Sequence, residues 1–74
     1  MKSVDEMIFE LEAAGWGVNR LECERYDGTG DWSAHAGKRL RSGSQEFRAG
    51  YGATLQLALQ ALCRDCLGWE QQPT

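Results

Sequence analysis

At the start of the chain, apolar residues recur at the i, i+3, i+4, i+7 spacing that aligns side chains along one face of an α-helix. This stripe consists of Val4, Met7, Ile8 and Leu11. Ser3 and Glu6 have the S-x-x-E spacing of a capping box, in which each side chain binds a free backbone N–H group. Gly15 is placed to end the helix in a left-handed turn, after which Trp16 can fold back on the stripe.

A second helical pattern lies near the end of the chain. It begins near Thr54, a residue type that caps helix N-termini, and we predict that it stops at Gly68. Its apolar stripe consists of Leu55, Ala58, Leu59, Leu62 and Cys66, with Cys63 on the flank. We predict one small domain over residues 1–69, followed by a flexible C-terminal tail over residues 70–74.

Between the helices, three segments alternate apolar and polar residues as β-strands do. The apolar positions of the first segment change parity between Val18 and Leu21. A bulge near Asn19 or Arg20 would reconcile the two halves. In the second segment, one side carries Trp32, Ala34 and Ala36. In the third segment, one face carries Phe47, Ala49 and Tyr51.

The connections between these segments are short. Asp27 and Gly28 form a strong hairpin signal, and G-K-R-L-R-S-G-S predicts a basic loop between Gly37 and Gly43. Short connections favour an antiparallel meander, and amphipathic helices need an apolar sheet face to pack on. We therefore predict an α+β fold of order α-β-β-β-α, with two helices on one face of a three-stranded antiparallel sheet.

The composition is typical of a soluble globular chain, with 26% charged and 42% hydrophobic residues among 74. No stretch approaches the roughly 18 apolar residues of a membrane span, and the first residues carry acids where a signal peptide needs positive charge. We therefore expect a cytoplasmic protein. Residues 1–31 hold eight acids against three bases, a net charge of −5, whereas residues 32–74 hold five bases against three acids, a net charge of +2. The acidic half disfavours nucleic acid, since each phosphate contact needs a cation, and leaves basic partners open.

Three cysteines are present, and two of them form the C-x-x-C motif of Cys63 and Cys66. Redox enzymes place this motif at a helix N-terminus, where the helix dipole stabilises a thiolate. Here the motif lies in the last turns of a helix, so we expect raised thiol pKa values and buried, structural cysteines. The alternative is a zinc site, for which the available ligands are Cys23, Cys63, Cys66 and His35. We expect no metal and no cofactor, because strong zinc signatures usually have two such pairs.

Two further motifs could bear chemistry. His35, the one histidine, has Ser33 on the same strand face, but general acid–base catalysis needs a partner and a pocket, so we predict a solvent-facing histidine and no enzyme. Gly50 and Gly52 lie before a helix, where glycines can cradle a phosphate. The third glycine and the lysine of phosphate-binding loops are missing, so we predict a tight turn.

Two surfaces are candidate partner-binding sites. In the first helix, Phe9 lies among acidic residues that point away from the apolar stripe, and Leu57 lies opposite the stripe of the second helix. The first candidate is the outer helix face formed by Phe9, Glu6, Glu10, Glu12 and Leu57. The second is the predicted basic hairpin tip, formed by Lys38, Arg39 and Arg41 with Leu40 as an apolar anchor.

The α-β-β-β-α order over about residues 3–67 resembles the double-stranded-RNA-binding domain. That family reads RNA with a lysine-rich start of its second helix, whereas T-L-Q-L-A-L-Q-A-L has no lysine, so no binding residue is carried over. The motifs A-A-G-W, W-x-A and F-x-A-x-Y-G-A-T resemble those of small phage and prophage proteins. Many proteins of that class bind and block a host protein, and anti-CRISPR and other anti-defence inhibitors are among them.

These observations lead to two functional hypotheses. The first is a non-enzymatic protein-binding module, with a host protein or a second copy of this chain as the partner. The alternative is a nucleic-acid-binding module that contacts phosphates through Lys38, Arg39, Arg41 and Arg48. Such a module would bind with an affinity that falls steeply with salt.

Overall fold

The computed structural model describes residues 2–26 and 29–69 of the chain. The elements are α1 (Val4–Ala13), β1 (Gly17–Tyr26), β2 (Thr29–Arg39), β3 (Gln45–Gly52) and α2 (Leu55–Leu67). The strands pair antiparallel in the order β1-β2-β3. Helix α2 packs on β3 and β2, while α1 packs on α2 and β1. The predicted α+β fold of order α-β-β-β-α is confirmed. No helix in the described residues is long and apolar enough to cross a bilayer.

Both ends of α1 follow from its sequence. Ser3 Oγ accepts a hydrogen bond from Glu6 N at 3.2 Å, and Glu6 Oε1 accepts one from Ser3 N at 3.3 Å, so the capping box is confirmed. Gly15 has a φ of +93°, and Trp16 N donates to Leu11 O at 2.9 Å. These contacts form the predicted Schellman ending, which carries the Trp16 ring into the core.

Helix α2 also begins and ends as predicted. Thr54 Oγ1 accepts a hydrogen bond from Leu57 N at 3.1 Å, and Gly68 ends the helix with a φ of +68°. In β1, the pairing register shifts between Val18 and Arg20, which confirms the predicted bulge. The predicted turn at residues 27–28 and the predicted tail at residues 70–74 lie outside the described residues.

The predicted basic loop is wrong in its first half, because β2 continues to Arg39. Lys38 pairs with Glu46 and Arg39 with Gln45 in the β2–β3 ladder. The turn begins only at Leu40, whose N–H donates to Ser44 O at 2.8 Å. Antiparallel pairing continues as long as both strands offer backbone partners, and charged side chains at the end of a strand do not stop it.

The sheet contributes one of its two faces to the core. The inner face, against the helices, carries Ala34 and Ala36, which are both buried. The remaining core consists of Met7, Leu11, Trp16, Ala58, Leu59, Leu62 and Cys63. The outer face carries the alternate residues of each strand, and no element of the described chain covers it.

Helix α2 lies directly on the backbone of β3. A Cβ atom added to Gly50 would be 2.4 Å from Ala58 O and from Leu62 N, and one added to Gly52 would be 2.7 Å from Ala58 N. Both glycines belong to β3, so the predicted tight turn at this position is wrong. The absence of side chains on them is what allows the helix backbone to approach the strand so closely.

We expect Gly50→Ala to lower the free energy of unfolding by about 2 kcal/mol or more, because its methyl group would clash with backbone atoms that cannot rotate away. Gly17→Ala is the matched control: its Cβ would meet only Gly37 O, at 3.8 Å, and should be nearly neutral. Urea denaturation followed by circular dichroism measures both. Equal stability of the two variants would contradict the close approach of α2.

Candidate binding surfaces

The outer face of α1 carries the most exposed aromatic side chain of the described chain. Phe9 is 71% exposed and lines an open groove of about 430 Å³ with Lys2, Asp5, Glu6 and Glu10. Because the helix buries Met7 and Leu11 on its opposite side, Phe9 has no access to the core. The groove therefore combines one apolar ring with three carboxylates.

Lys2 holds one rim of this groove in place. Its Nζ is 2.5 Å from Glu10 Oε2 and lies 5.1 Å from the centre of the Trp69 ring. Its backbone oxygen accepts a hydrogen bond from Gln56 Nε2 at 2.8 Å. These contacts attach the segment before α1 to α2, so the charge of Glu10 is compensated while those of Asp5 and Glu6 face the solvent.

The remaining residues of the predicted helix surface lie apart from this groove. Leu57 is 39% exposed and lies at the first turn of α2, where its Cβ is 2.7 Å from the position of a Cβ on Gly52. Glu12 is exposed on α1 but lies outside the groove, whose described lining consists of Lys2 and residues in the first two turns of α1. The structure thus brings together Phe9, Glu6 and Glu10.

The predicted basic tip is divided between the two faces of the sheet. Lys38 lies on the inner face, where its Nζ is 5.7 Å from the centre of the Trp16 ring, and Arg39 lies on the outer face. Arg41 lies in the turn. Arg48 lies across the Trp16 ring at 6.0 Å.

Arg48 also contacts two carboxylates. It pairs with Glu46, and its Nε is 3.5 Å from Asp65 Oδ2. Two of the four cations in the nucleic-acid hypothesis, Lys38 and Arg48, therefore lie near Trp16 on the inner face, where both are partly exposed.

The outer face of the sheet is a surface that the sequence analysis left out. Phe47 and Tyr51 of β3 are 63% and 66% exposed there. The Phe47 ring lies over Gly37, at 3.2 Å from the position of a Cβ on that residue. The sequence did contain a signal for this surface, because Gly50 and Gly52 alternate with Ala49 and Tyr51. A helix can pack closely on the face that carries the glycines, which leaves the side chains of Ala49 and Tyr51 on the other face.

His35 lies at the centre of the outer face. Its Nε2 is 3.2 Å from Ser33 Oγ, and its ring meets the Tyr51 ring edge-on, with centres 6.4 Å apart. A pocket of about 170 Å³ opens beside them. Two carboxylates line this pocket. Asp31 is four residues from His35, about 13 Å along the strand, and Glu22 is paired with Arg20 at 2.5 Å. Neither forms a hydrogen bond with His35 that would orient the imidazole for nucleophilic catalysis.

The two thiols of the C-x-x-C motif are part of the packing between α2 and its neighbours. Cys63 is buried and donates a weak hydrogen bond to Met7 O at 3.9 Å. Burial, with the nearby charge of Glu10, raises the pKa of the Cys63 thiol to about 11. Burial and the charge of Asp65 raise the pKa of Cys66 to about 11. The predicted direction is confirmed, with burial as the main cause.

The proposed zinc ligands do not converge. His35 lies on the outer face of the sheet, whereas Cys63 and Cys66 lie in the helix layer on the inner face. Cys23 pairs with Trp32, at the end of the sheet that lies near the start of α2. Cys66 lies near the end of α2, so the two thiols are at opposite ends of this helix. No three potential metal ligands cluster within residues 2–26 and 29–69.

Comparison of the chain with protein-family models, with curated proteins and with solved structures found no match in any of the three. The surfaces described above therefore carry the functional argument.

The raised pKa of Cys63 makes stability depend on alkaline pH. The unfolded chain releases this proton near pH 9 and the folded chain only near pH 11, so the thiol contributes stability that is lost as the pH rises through this range. The loss reaches about 3 kcal/mol. In urea denaturation from neutral to alkaline pH, we expect the stability advantage over Cys63→Ala to shrink above pH 9. A constant difference between the two proteins would contradict this.

Proposed function

We propose that this protein is a non-enzymatic protein-binding module whose α1 outer face docks on a basic, partly apolar surface of another protein. The observation that carries the proposal is Phe9, which is 71% exposed and lies in a groove with Asp5 and Glu6, two carboxylates for which the described residues supply no ion pair. A large aromatic side chain in contact with water adds nothing to the stability of the fold, whereas an aromatic residue buried at an interface is a common source of binding energy.

The charge around Phe9 indicates the kind of partner. Asp5 and Glu6 face solvent beside the ring, and Glu12 is exposed on the same helix. Residues 1–31 together carry a net charge of −5, from eight acids and three bases. Such a surface accelerates association with a positively charged protein and repels acidic ones. The partner surface is therefore basic around an apolar pocket that receives the Phe9 ring.

The resemblance of the chain to small phage proteins suggests the biological form of this binding. Many proteins of that class bind a host protein and block its activity. We propose the same for this chain, including an anti-defence role, with the α1 surface as the inhibitory contact.

The nucleic-acid alternative has weaker support. Its four proposed phosphate contacts do not share one surface: Lys38 and Arg48 flank Trp16 on the inner face, and Arg39 is on the outer face. Arg41 is exposed in the turn between β2 and β3 and belongs to neither face of the sheet.

The test compares two phenylalanines of similar exposure on opposite sides of the molecule. Tagged wild-type protein, Phe9→Asp and Phe47→Asp are used to capture proteins from a host lysate, and captured proteins are then purified for affinity measurements. For a true partner, we expect Phe9→Asp to weaken binding by about 10-fold or more, as loss of an aromatic anchor does, and Phe47→Asp to leave it unchanged. Reversal of charge by Glu6→Lys should weaken the same binding.

Thermal unfolding of each variant controls for folding. A partner that is lost equally with Phe47→Asp would exclude the α1 face as the docking site. If Phe9→Asp captures the same proteins as the wild type, the α1 face is likewise excluded as the docking site. Binding of RNA or DNA that falls steeply with salt and needs Arg39 and Arg41 would favour the nucleic-acid alternative instead.

A further inference from the structure

We propose that the outer face of the sheet is a homodimer interface, in which two copies of this chain stack face to face about a two-fold axis. The axis runs across the strands through the row of residues that Arg20, His35 and Ala49 share. It brings Arg20 of the two copies together, each with its charge compensated by the ion pair with Glu22 of its own chain. This inference is independent of the proposed function, since it concerns the opposite side of the molecule from α1.

The outer face has the side-chain pattern of a surface that can be completed by its own copy. Phe47 and Tyr51 lie two residues on either side of Ala49 in β3. A two-fold axis through Ala49 therefore places Phe47 of one copy over Tyr51 of the other, at both ends of the strand. The two aromatic pairs would cover the most exposed apolar side chains of the sheet.

The charged residues of β2 follow the same symmetry. Asp31 and Arg39 both lie on the outer face, four residues before and four after His35. The axis that pairs Phe47 with Tyr51 thus also brings Asp31 of each copy to Arg39 of the other. Opposite charges meet at both ends of the strand, which a second copy provides and an unrelated acidic or basic ligand does not.

The space on the face fits this arrangement as well. A pocket of about 170 Å³ lies beside Tyr51, with the charged residues Arg20, Glu22 and Asp31 in its lining. One of about 260 Å³ lies beside Phe47, with Lys38 and Arg39 in its lining. In the dimer, each pocket receives the aromatic ring that the other copy presents. Ala49, on the row of the axis between the two aromatic residues, has a small side chain that lets the two sheets approach.

Packed sheets cross at about 30°, so residues far from the axis are displaced sideways by several Å. Phe47 and Tyr51 lie only about 7 Å from the axis along the strand, and the long side chain of Arg39 spans the larger displacement at the end of β2. The pairing is therefore compatible with the twist of natural sheets.

The size of the face predicts a weak dimer. Three strands about 4.8 Å apart and a length of about 27 Å from Asp31 to Arg39 give a face of roughly 400 Å² per copy. Two such faces bury less than the standard stable interface. We expect a dissociation constant on the order of 1 µM or weaker, because even interfaces of standard size extend into the micromolar range.

A single-stranded nucleic acid is the rival occupant, because exposed aromatic rings on a sheet also stack bases. The charges argue against it. The described outer face carries Arg20 and Arg39 against Glu22 and Asp31, and Arg20 NH2 is already 2.5 Å from Glu22 Oε1. A face without net positive charge lacks the electrostatic attraction on which phosphate binding depends.

Sedimentation equilibrium of the full chain tests the proposal, from about 1 µM to about 1 mM. We expect a monomer–dimer equilibrium that Phe47→Asp and Tyr51→Asp each weaken by about 10-fold or more. Phe9→Asp is the matched control and should leave the dimer unchanged. A monomeric wild-type chain throughout this range would overturn the proposal, as would a dimer that is lost with Phe9→Asp.

A charge exchange tests the pairing itself. Asp31→Arg and Arg39→Asp should each weaken the dimer by about 10-fold, because like charges then face each other at both ends. An equimolar mixture of these two variants should form a heterodimer of wild-type strength, since both pairs are again opposite in charge. Effects of folding cannot produce this rescue, because the two chains fold separately. Failure of the mixture to associate better than either variant alone would overturn the arrangement.

The oligonucleotide arm uses fluorescent oligo-dT at low salt. Binding of this probe to a monomeric chain, with loss of binding in Phe47→Asp, would assign the face to nucleic acid and overturn the dimer. If the chain does not dimerise, the effect of Phe9→Asp on partner binding can still be measured. If no partner is captured, dimerisation can still be measured, so the two proposals are tested separately.

Discussion

The contact between the α2 backbone and the β3 backbone constrains the rest of the structure. Gly50 and Gly52 leave no room for a side chain on the inner face of β3. In β2, Ala34 pairs with Gly50 and Trp32 pairs with Gly52. The small residues Ala34 and Gly50 therefore lie side by side at the centre of the inner face, where α2 approaches the sheet. The side chains of β3 that have substantial volume near this contact, including Tyr51, must therefore face outward, because successive residues of a strand alternate between faces.

Two candidate binding surfaces on opposite sides of the molecule result from this arrangement. The helices shield the inner face, so the surface around Phe9 belongs to the helix layer and the one around Phe47 to the sheet. A face-to-face dimer of sheets would leave both helix layers on the outside. It would present two copies of the Phe9 surface, one on each side of the dimer.

Motifs that suggest chemistry in the sequence are used for packing in the fold. Cys63 and Cys66 fill space between α2 and its neighbours, and burial keeps their thiols protonated. The cations of the predicted basic loop are divided, since Lys38 lies on the inner face near the Trp16 ring and Arg39 lies on the outer face. Trp16 reaches that position because the Schellman turn at the end of α1 directs the chain back towards Leu11.

The sequence by itself determined the element order, the helix ends, the bulge in β1 and the exposure of Phe9, because capping, periodicity and parity depend on neighbouring residues. It did not determine how far β2 extends or which face of β3 meets the helix. Lys38 and Arg39 join the ladder because β3 offers partners across the turn, and Gly50 is required because α2 crosses it there. Both facts depend on contacts between residues distant in sequence, so only the tertiary structure decided that the aromatic residues of β3 form an outer surface.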